Sequence, residues 1–357
     1  MALKTGIVKG EIFLKHIPGE GCPDTPQRLK SIYSMLNDSD MQGFFIDVLP
    51  QKADKEVITL FHSPEYFEKI AETKGKELIA LTADTHAGAD TFDAALYAAG
   101  GLIKAISQVA AKKIDNAFAL IRPPGHHAEK SRAMGYCLFN HIAVGALYAQ
   151  KKLNLSKILI IDWDIHHGNG TQHAFERDPT VLFFSVHQAG LFPGTGIFTE
   201  TGIGAGEGYT INLPIPKGHG DAEYTAIFER LLAPVAEQFA PELILVSAGF
   251  DTHKDDPMGG MRMTTSGFAA IAASIKRIAD KVCGGKMVCS LEGGYNLDKL
   301  PGIVKAVLKE MAGITCCDVG AMAAEADKKK VDYVVRRCID VHRHQWHFFN
   351  GLVGEAS

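Results

Sequence analysis

Residues 157–170 read KILIIDWDIHHGNG, an apolar run followed at once by two aspartates and two histidines. The run KILII (157–161) shows no polar alternation, which is typical of a strand buried on both faces of a parallel sheet. The four ionisable groups directly behind it allow three interpretations: capping of the strand, metal binding or acid–base chemistry.

Four further apolar runs of the same kind occur in the chain: NAFALI (116–121), VLFFSV (181–186), ELILVS (242–247) and KMVCSL (286–291). Helical patterns lie between the runs, at 89–113, 138–152, 221–239 and 265–282. This alternation of strands and helices predicts a three-layer α/β/α fold around a central, mostly parallel sheet.

Each of the five runs leads into a segment rich in His, Asp, Gly or Tyr. These segments are RPPGHH, DWDIHHGNG, HQAGLFPGTG, AGFDTHKDDP and EGGYN. Because ligands of open α/β sheets bind beyond the carboxyl ends of the strands, we expect the five segments to meet at one rim.

The chain contains no clear linker, so we predict a single domain over residues 1–357. The segment 325–349 is expected to form a closing amphipathic helix that packs on this domain. Its inward-facing residues are predicted to be Val331, Val334, Val335, Cys338 and Ile339.

The composition is that of an ordinary globular protein, with 46% hydrophobic and 22% charged residues. A formal net charge of −4 and the absence of a basic tract argue against nucleic-acid binding. No apolar stretch approaches the roughly 18–20 residues that span a membrane. Seven cysteines without a CxxC pair indicate reduced thiols and a cytoplasmic location. The sequence leaves a homo-oligomer open.

Asp164 and His166 are the first candidate metal ligands. Alternate residues of an extended segment share a face, so these two could hold one ion. Carboxylate oxygen and imidazole nitrogen suit Zn²⁺, and Asp251 after another strand is the best third ligand. Three protein ligands leave an open position, where a water can have its pKa lowered to about 7.

Such a site needs a general base and a group that stabilises an oxyanion. His126 and His127 could divide the roles of base and charged partner. Tyr295 in EGGYN could donate its phenol O–H to a developing oxyanion. The aromatic side chains of Tyr136 and Phe192 could wall a narrow channel suited to a long aliphatic chain.

Together these motifs resemble one known family. RPPGHHA, GYCLFN, DWDIHHGNGT, GLFPGTG, AGFDTHKDDPMGG and LEGGYN are similar, in order from about residue 18 to 345, to those of the histone deacetylase and acetylpolyamine amidohydrolase family. The resemblance implies an arginase–deacetylase fold with an eight-stranded parallel sheet. It also implies a tunnel with Zn²⁺ at its base.

The resemblance assigns roles to individual residues. Asp164, His166 and Asp251 look like the zinc ligands, His127 like the general base and Tyr295 like the transition-state tyrosine.

The resemblance also implies neighbours of these groups. Asp162 looks like the partner of His126, and Asn169 matches the class II branch, since class I members carry aspartate there. A structural K⁺ would be held by Asp162, the Ser185 hydroxyl and backbone oxygens of Asp164, His166 and Val186.

Substrate contacts are expected from the tunnel walls and the rim. The predicted residues are Tyr136, Phe192, Gly135, Met258, Asp84, Gly293 and Gly294. Met258 stands where polyamine-selective members carry glutamate, and a thioether offers no partner for an ammonium group. The altered loop Cys22-Pro23-Asp24 departs from the family's H-P-E motif, which puts the usual contacts of that loop in doubt.

The sequence therefore predicts a zinc-dependent amidohydrolase that removes acyl groups from lysine side chains of a peptide or protein. Three alternatives stay open. They are a deacetylase of acetylpolyamines or another small acylated amine, a dimanganese ureohydrolase, which would need further carboxylates where Asn169 stands, and an inert acyl-lysine-binding scaffold.

Overall fold

The computed structural model describes residues 3–349 of the chain. Its strands are β1 (Thr5–Val8), β2 (Phe45–Val48), β3 (Leu78–Ala80), β4 (His86–Gly88), β5 (Asn116–Ala119), β6 (Ile158–Asp162), β7 (Val181–Gln188), β8 (Thr210–Ile215), β9 (Leu243–Ala248) and β10 (Met287–Leu291). Eight of them form one sheet in the order β2-β1-β5-β10-β9-β6-β7-β8, and every neighbouring pair is parallel. Strands β3 and β4 form a separate antiparallel pair.

The helices are α1 (Pro26–Met35), α2 (Lys55–Ile58), α3 (Pro64–Ala71), α4 (Thr91–Ala110), α5 (His141–Leu153), α6 (Asn169–Phe175), α7 (Asp221–Ile227), α8 (Ala233–Phe239), α9 (Thr265–Cys283), α10 (Leu300–Met311), α11 (Val319–Ala324) and α12 (Lys328–His342). Short 3₁₀ turns lie at Glu11–Lys15 and Gly204–Gly206. A π-helical turn at Phe228–Leu232 joins α7 to α8, so 221–239 is one helical stretch, as predicted.

The five strands predicted from apolar runs are the five central strands of the sheet. All residues of β5, β6, β9 and β10 are buried, although neighbouring side chains of a strand point to opposite faces. Helices must therefore cover both faces, which confirms the predicted three-layer architecture with an eight-stranded parallel sheet.

The C-terminal helix is shorter than the predicted 325–349. It occupies only α12, because Asp327 caps its start by accepting from the Lys329 and Lys330 backbone amides. The five residues predicted to face inward are buried, and α12 packs on α7 and β8. The predicted domain reaches residues 1–2 and 350–357, which lie outside the described residues.

No helix within residues 3–349 is long and apolar enough to cross a membrane. All seven cysteines lie in this part of the chain and carry free thiols.

Candidate metal centre and active site

The register of the sheet brings two candidate ligand segments together. Strands β6 and β9 are neighbours, and Asp162 at the end of β6 lies opposite Ser247 of β9. The loop after β6 carries Asp164 and His166, and the loop after β9 carries Asp251. Their side chains therefore meet at the carboxyl edge of the sheet, as expected for a ligand site in this fold class.

Asp164, His166 and Asp251 form one compact, buried group. One ligand atom of each lies within 4.8 Å of the others, and no other such His, Cys, Asp or Glu group occurs in residues 3–349. His166 Nδ1 is 3.0 Å from Asp164 Oδ1 and 3.2 Å from Asp251 Oδ2. The sequence analysis predicted all three residues.

The local backbone differs from the predicted extended segment. Residues 164–166 form a bend, because Asp162 Oδ1 accepts from the Asp164 amide at 3.0 Å and Asp164 Oδ1 accepts from the His166 amide at 2.8 Å. These side-chain to backbone hydrogen bonds compete with the strand conformation. Asp164 and His166 therefore lie close together because of this bend, and not because alternate residues of a strand share a face.

The charge of this group suits a divalent cation. Burial and the neighbouring Asp164 carboxylate raise the pKa of Asp251 to about 7. Asp251 Oδ2 is buried and accepts no protein hydrogen bond. Two buried carboxylates with one imidazole provide the donor set of a catalytic zinc site with an open position.

Two glycines make room for these carboxylates. A Cβ at Gly249 would lie 2.0 Å from Asp164 Oδ2, and one at Gly293 would lie 2.2 Å from Asp251 Oδ2. The Gly293 amide donates to Asp164 Oδ2 at 2.9 Å. Backbone alone therefore fills the space beside the ligands.

His126 and His127 lie next to the metal group, with their ring centroids 4.0 Å apart. The Nδ1 atom of each has a different partner. His126 Nδ1 is 2.9 Å from Asp162 Oδ2, whereas His127 Nδ1 is 2.8 Å from Asn169 Oδ1. A carboxylate thus faces one histidine and a neutral amide faces the other.

This difference separates the charges of the pair. Burial lowers the pKa of His126, yet the Asp162 and Asp164 carboxylates outweigh burial and raise that pKa to about 10. Burial and the neighbouring His126 hold the pKa of His127 well below its ordinary value. His126 is therefore the cationic member and His127 the neutral member, with a free lone pair at Nε2.

Tyr295 and these two histidines line the same cavity. Asp256 accepts from the Tyr295 and Asn296 amides at 2.7 and 3.1 Å, so its carboxylate holds the loop that carries the tyrosine. Burial keeps the pKa of Tyr295 well above its ordinary value, and the phenol keeps its proton as a donor.

A cavity of about 180 Å³ leads down to the metal group. Its lining consists of Asp84, Pro124, His126, His127, Gly135, Tyr136, His166, Phe192, Met258, Gly293 and Tyr295. The Phe192 ring meets the His127 ring edge to face, with centroids 5.0 Å apart. The aromatic walls and the acid–base groups thus belong to one cavity, as predicted.

One predicted substrate contact is placed differently. Gly294 does not line the cavity, since a Cβ there would meet Phe250 at 2.8 Å on the core side. Its φ of +113° explains why glycine stands there, and its carbonyl accepts from Arg28 Nε at 2.6 Å.

The residues expected to hold potassium lie at the end of β6, in the loop after β6 and in β7. Ser185 of β7 is opposite Asp162 of β6, and Val186 follows it in the same buried strand. The Ser185 hydroxyl is 2.8 Å from His187 Nδ1.

Glu292 is a site residue that the sequence analysis missed. Its Oε2 accepts from the Gly125 and His126 amides at 2.7 and 3.2 Å, and its Oε1 accepts from Ser247 at 3.1 Å. Burial raises the pKa of Glu292 to about 7. Its position directly before Gly293 in LEGGYN was the available signal.

A buried ion cluster of Asp24, Arg28 and Arg122 was also missed. Asp24 Oδ1 accepts from Arg28 Nη1 at 2.6 Å and from Arg122 Nε at 2.7 Å. Arg28 Nη2 donates to the Glu292 carbonyl at 2.5 Å. Arg28 thus links the altered loop Cys22-Pro23-Asp24 to the segment that carries Tyr295.

Comparison with known proteins agrees with this geometry. Residues 22–311 match the family described as Histone deacetylase domain. The chain is 42% identical over 346 residues to Histone deacetylase 10, chloroplastic, of Oryza sativa subsp. japonica, which covers 91% of this chain and 77% of that protein. It is 39% identical over 315 residues to a Probable deacetylase of Archaeoglobus fulgidus, and this match covers 87% of this chain and 86% of that protein.

Two further similarities extend this result. Polyamine deacetylase HDAC10 of Danio rerio is 38% identical over 302 residues, but the match spans only 44% of that protein and 81% of this chain. The crystal structure of the HDA15 HD domain superposes with a TM-score of 0.89 at 32% identity, over 99% of this chain and 98% of that one. The chain belongs to the histone deacetylase and acetylpolyamine amidohydrolase family.

Proposed function

We propose that this zinc-dependent deacetylase acts on acylated lysine side chains of peptides or proteins in preference to acetylpolyamines. The observation that carries the proposal is the lining of the cavity that ends at the metal group, where Tyr136 and Phe192 provide aromatic walls and Met258 provides a neutral thioether. A cavity of this kind accepts an aliphatic stem and presents its amide to the groups at the base.

The cavity residues divide the work of hydrolysis. Asp164, His166 and Asp251 would hold the zinc ion, which when bound would supply Lewis acidity toward a carbonyl oxygen and toward water. His127 Nε2 takes the proton of the attacking water, because its Nδ1–H is committed to Asn169.

Two further groups complete the reaction. The Tyr295 phenol donates to the carbonyl oxygen as negative charge develops on it. The amide C–N bond then breaks, and the protonated His127 gives its proton to the leaving amine. The Asp162 and Asp164 carboxylates favour the protonated form of His126 by raising its pKa, and that form would stabilise negative charge developing in the cavity.

Within the described residues, the lining of the cavity contains a single carboxylate, that of Asp84. Met258 contributes a neutral thioether to the lining. Asp84 is acidic, but its Oδ1 accepts from the Thr82 and Thr85 hydroxyls at 2.7 and 2.8 Å and its Oδ2 accepts from the Gly135 amide at 3.1 Å. Three protein donors thus already engage Asp84, and at the position of Met258 the lining offers an ammonium group no carboxylate.

The test compares kcat/KM for an acetyl-lysine peptide and for an acetylated spermidine. We expect the peptide to be preferred by at least about tenfold. Met258→Glu should move the ratio toward the polyamine, because it places a carboxylate at the rim, whereas the neutral, similarly sized Met258→Gln should not. Faster turnover of acetylspermidine by the unaltered protein would contradict the proposal.

Two finer expectations accompany this function. We propose a structural K⁺ bound near Asp162 and Ser185, supported by the oxygen atoms that this part of the sheet offers, and metal analysis after dialysis against potassium-free buffer tests it. A cytoplasmic location is proposed from the seven free thiols, and localisation of a tagged chain tests it.

A further inference from the structure

Glu129 contacts Asn169, and Asn169 is in turn the hydrogen-bond partner of the general base His127. Glu129 follows His126 and His127 in the loop after β5, and its side chain is about three-quarters buried, with 23% exposure. Its Oε1 accepts from Asn169 Nδ2 at 2.5 Å. The sequence analysis gave this residue no role, and the mechanism described above does not use it.

The contacts of Asn169 fix which way its amide points. Oδ1 is 2.8 Å from His127 Nδ1, while Nδ2 donates to Glu129 and to the His127 carbonyl at 3.3 Å. A carboxylate and a carbonyl only accept hydrogen bonds. If the amide were flipped, its oxygen would face two acceptors, so Glu129 opposes that arrangement by electrostatic repulsion.

The amide orientation in turn decides the tautomer of His127. Asn169 Oδ1 can only accept, so His127 carries its proton on Nδ1 and keeps Nε2 free toward the cavity. A flipped amide would donate to Nδ1 and place the proton on Nε2. In that tautomer Nε2 has no lone pair with which to take a proton from water.

Glu129 is itself anchored on two sides. His62 accepts the Asn140 amide at Nε2, at 2.9 Å, so its Nδ1 carries the proton and donates to the Glu129 carbonyl at 3.0 Å. At the surface, His173 Nδ1 lies 2.9 and 3.0 Å from the two Glu129 side-chain oxygens. The carboxylate therefore has a defined position relative to Asn169.

We propose that Glu129 is a positioning residue that selects the catalytic tautomer of His127 by orienting the amide of Asn169. The inference rests on the proposed function only in that His127 takes the proton. It also accounts for the amide at 169, because a carboxylate there would lie within hydrogen-bond distance of the Glu129 carboxylate, and like charges repel.

A donor–acceptor exchange tests the proposal. In Asn169→Asp, two carboxylates meet, and kcat should fall by about 100-fold. In the double variant Glu129→Gln with Asn169→Asp, the new amide donates to the new carboxylate, which again accepts from His127. We expect kcat of the double variant to return to within about fivefold of that of the unaltered protein. The second substitution would then raise kcat by about 20-fold or more over that of Asn169→Asp alone.

Three controls distinguish a changed tautomer from a shifted pKa, weaker substrate binding or a folding defect. The kinetics are taken from pH 6 to 9.5, so that a moved acid limb is not mistaken for lost activity, and kcat and KM are determined separately. Melting temperatures of all variants check folding. The single variant Glu129→Gln completes the cycle. If the loss of kcat in the double variant equals the product of the losses in Glu129→Gln and Asn169→Asp alone, the proposal is overturned.

A second readout requires no substrate. Nitrogen-15 chemical shifts of His127 in zinc-loaded, histidine-labelled protein show which ring nitrogen carries the proton, and the signal is assigned by its loss in His127→Gln. We expect the Nδ1–H form in the unaltered protein and in the double variant, and a mixture of tautomers in Glu129→Ala. An unchanged Nδ1–H form in Glu129→Ala would also overturn the proposal, whatever substrate the enzyme prefers.

Discussion

Two clusters of buried charge lie near each other under the cavity, and they balance their charge in different ways. In the first, Asp24 faces two guanidinium groups, those of Arg28 and Arg122, so the chain supplies its own counter-charge. In the second, Asp164 and Asp251 share a single imidazole, His166. Within residues 3–349, no lysine or arginine forms an ion pair with either of these carboxylates, which leaves them available to an external cation.

The difference separates structural charge from functional charge. Burial would raise the pKa of Asp24, but Arg122, His16 and Arg28 outweigh it and hold the pKa well below its ordinary value. In the second cluster, burial and Asp164 raise the pKa of Asp251 to about 7. The same residue type in the same degree of burial is thus satisfied in one cluster and available for a metal in the other.

Asp251→Asn gives the largest expected effect. It removes a ligand, so deacetylase activity should fall by at least about 10³-fold, which is about 4 kcal/mol in the activation barrier. Because it also removes one of two neighbouring carboxylates, the metal-free variant should be no less stable than the metal-free original chain. Peptide turnover, zinc content and urea unfolding measure the three quantities.

Asp255→Asn is the matched control, since Asp255 lies four residues along the same loop and is 39% exposed. It should retain zinc and turnover. If it lost as much activity as Asp251→Asn, the assignment of Asp251 as a ligand would be wrong.

Asp24→Asn makes the same chemical change in the cluster of Asp24, Arg28 and Arg122. Unlike Asp251→Asn, it should lower the stability of the metal-free chain. It leaves Arg28 and Arg122 buried without a counter-charge, which costs about 3–5 kcal/mol of unfolding free energy. Urea unfolding measures the loss. Asp47→Asn removes the partner of Lys9 in an exposed pair and should cost only about 0–1 kcal/mol. If Asp24→Asn and Asp47→Asn lost the same unfolding free energy, Asp24 would not be a buried counter-charge that the fold requires.

Tyr295→Phe tests the chemistry above the metal cluster without changing the charge of either cluster. It removes one donor to the developing oxyanion, so kcat should fall by about 100-fold, or about 2.7 kcal/mol. Zinc content and melting temperature should stay the same. Turnover close to that of the unaltered protein would exclude the assigned role.

His342 offers a third case, a buried group that meets no counter-charge. Neither ring nitrogen has a hydrogen-bond partner, and burial lowers its pKa to about 4. The unfolded chain binds a proton below about pH 6.5, whereas the folded chain does so only near pH 4. Stability from this group is therefore lost as pH falls through that window.

The expected size of this effect is about 1.4 kcal/mol between pH 8 and pH 5.5. Urea unfolding at the two pH values measures it, with His342→Leu as the comparison. Other buried histidines contribute equally to both proteins, so the difference isolates residue 342. An identical pH dependence in the two proteins would contradict the assigned pKa.

The central part of the fold could be predicted from the sequence, because β5, β6, β7, β9 and β10 are long apolar runs buried on both faces. The remaining strands of the sheet gave weaker signals. β1 reads TGIV and so contains only two large apolar residues, and β2 is a partly exposed edge strand whose pattern is not continuously apolar. Such strands are defined by their neighbours in the sheet more than by their own composition.

The candidate site was predictable wherever a ligand or an acid–base group follows a strand directly. Asp164, His166, Asp251, His127 and Tyr295 are of this kind. The contacts of the supporting carboxylates could not be predicted, because their partners are distant in sequence: Glu292 accepts from Gly125, and Asp24 accepts from Arg122. The bend at 164–166 was missed for a different reason, since it depends on which side-chain oxygens accept from which amides.

Gly249 and Gly293 carry a consequence for interpreting other chains of this family. Each lies so close to a ligand carboxylate that an added methyl group would overlap its oxygen atoms. A chain could therefore keep every ligand, both histidines and the tyrosine, and still lose its metal through one alanine at either glycine. Surveys that separate active from inactive family members should score these two positions together with the ligands.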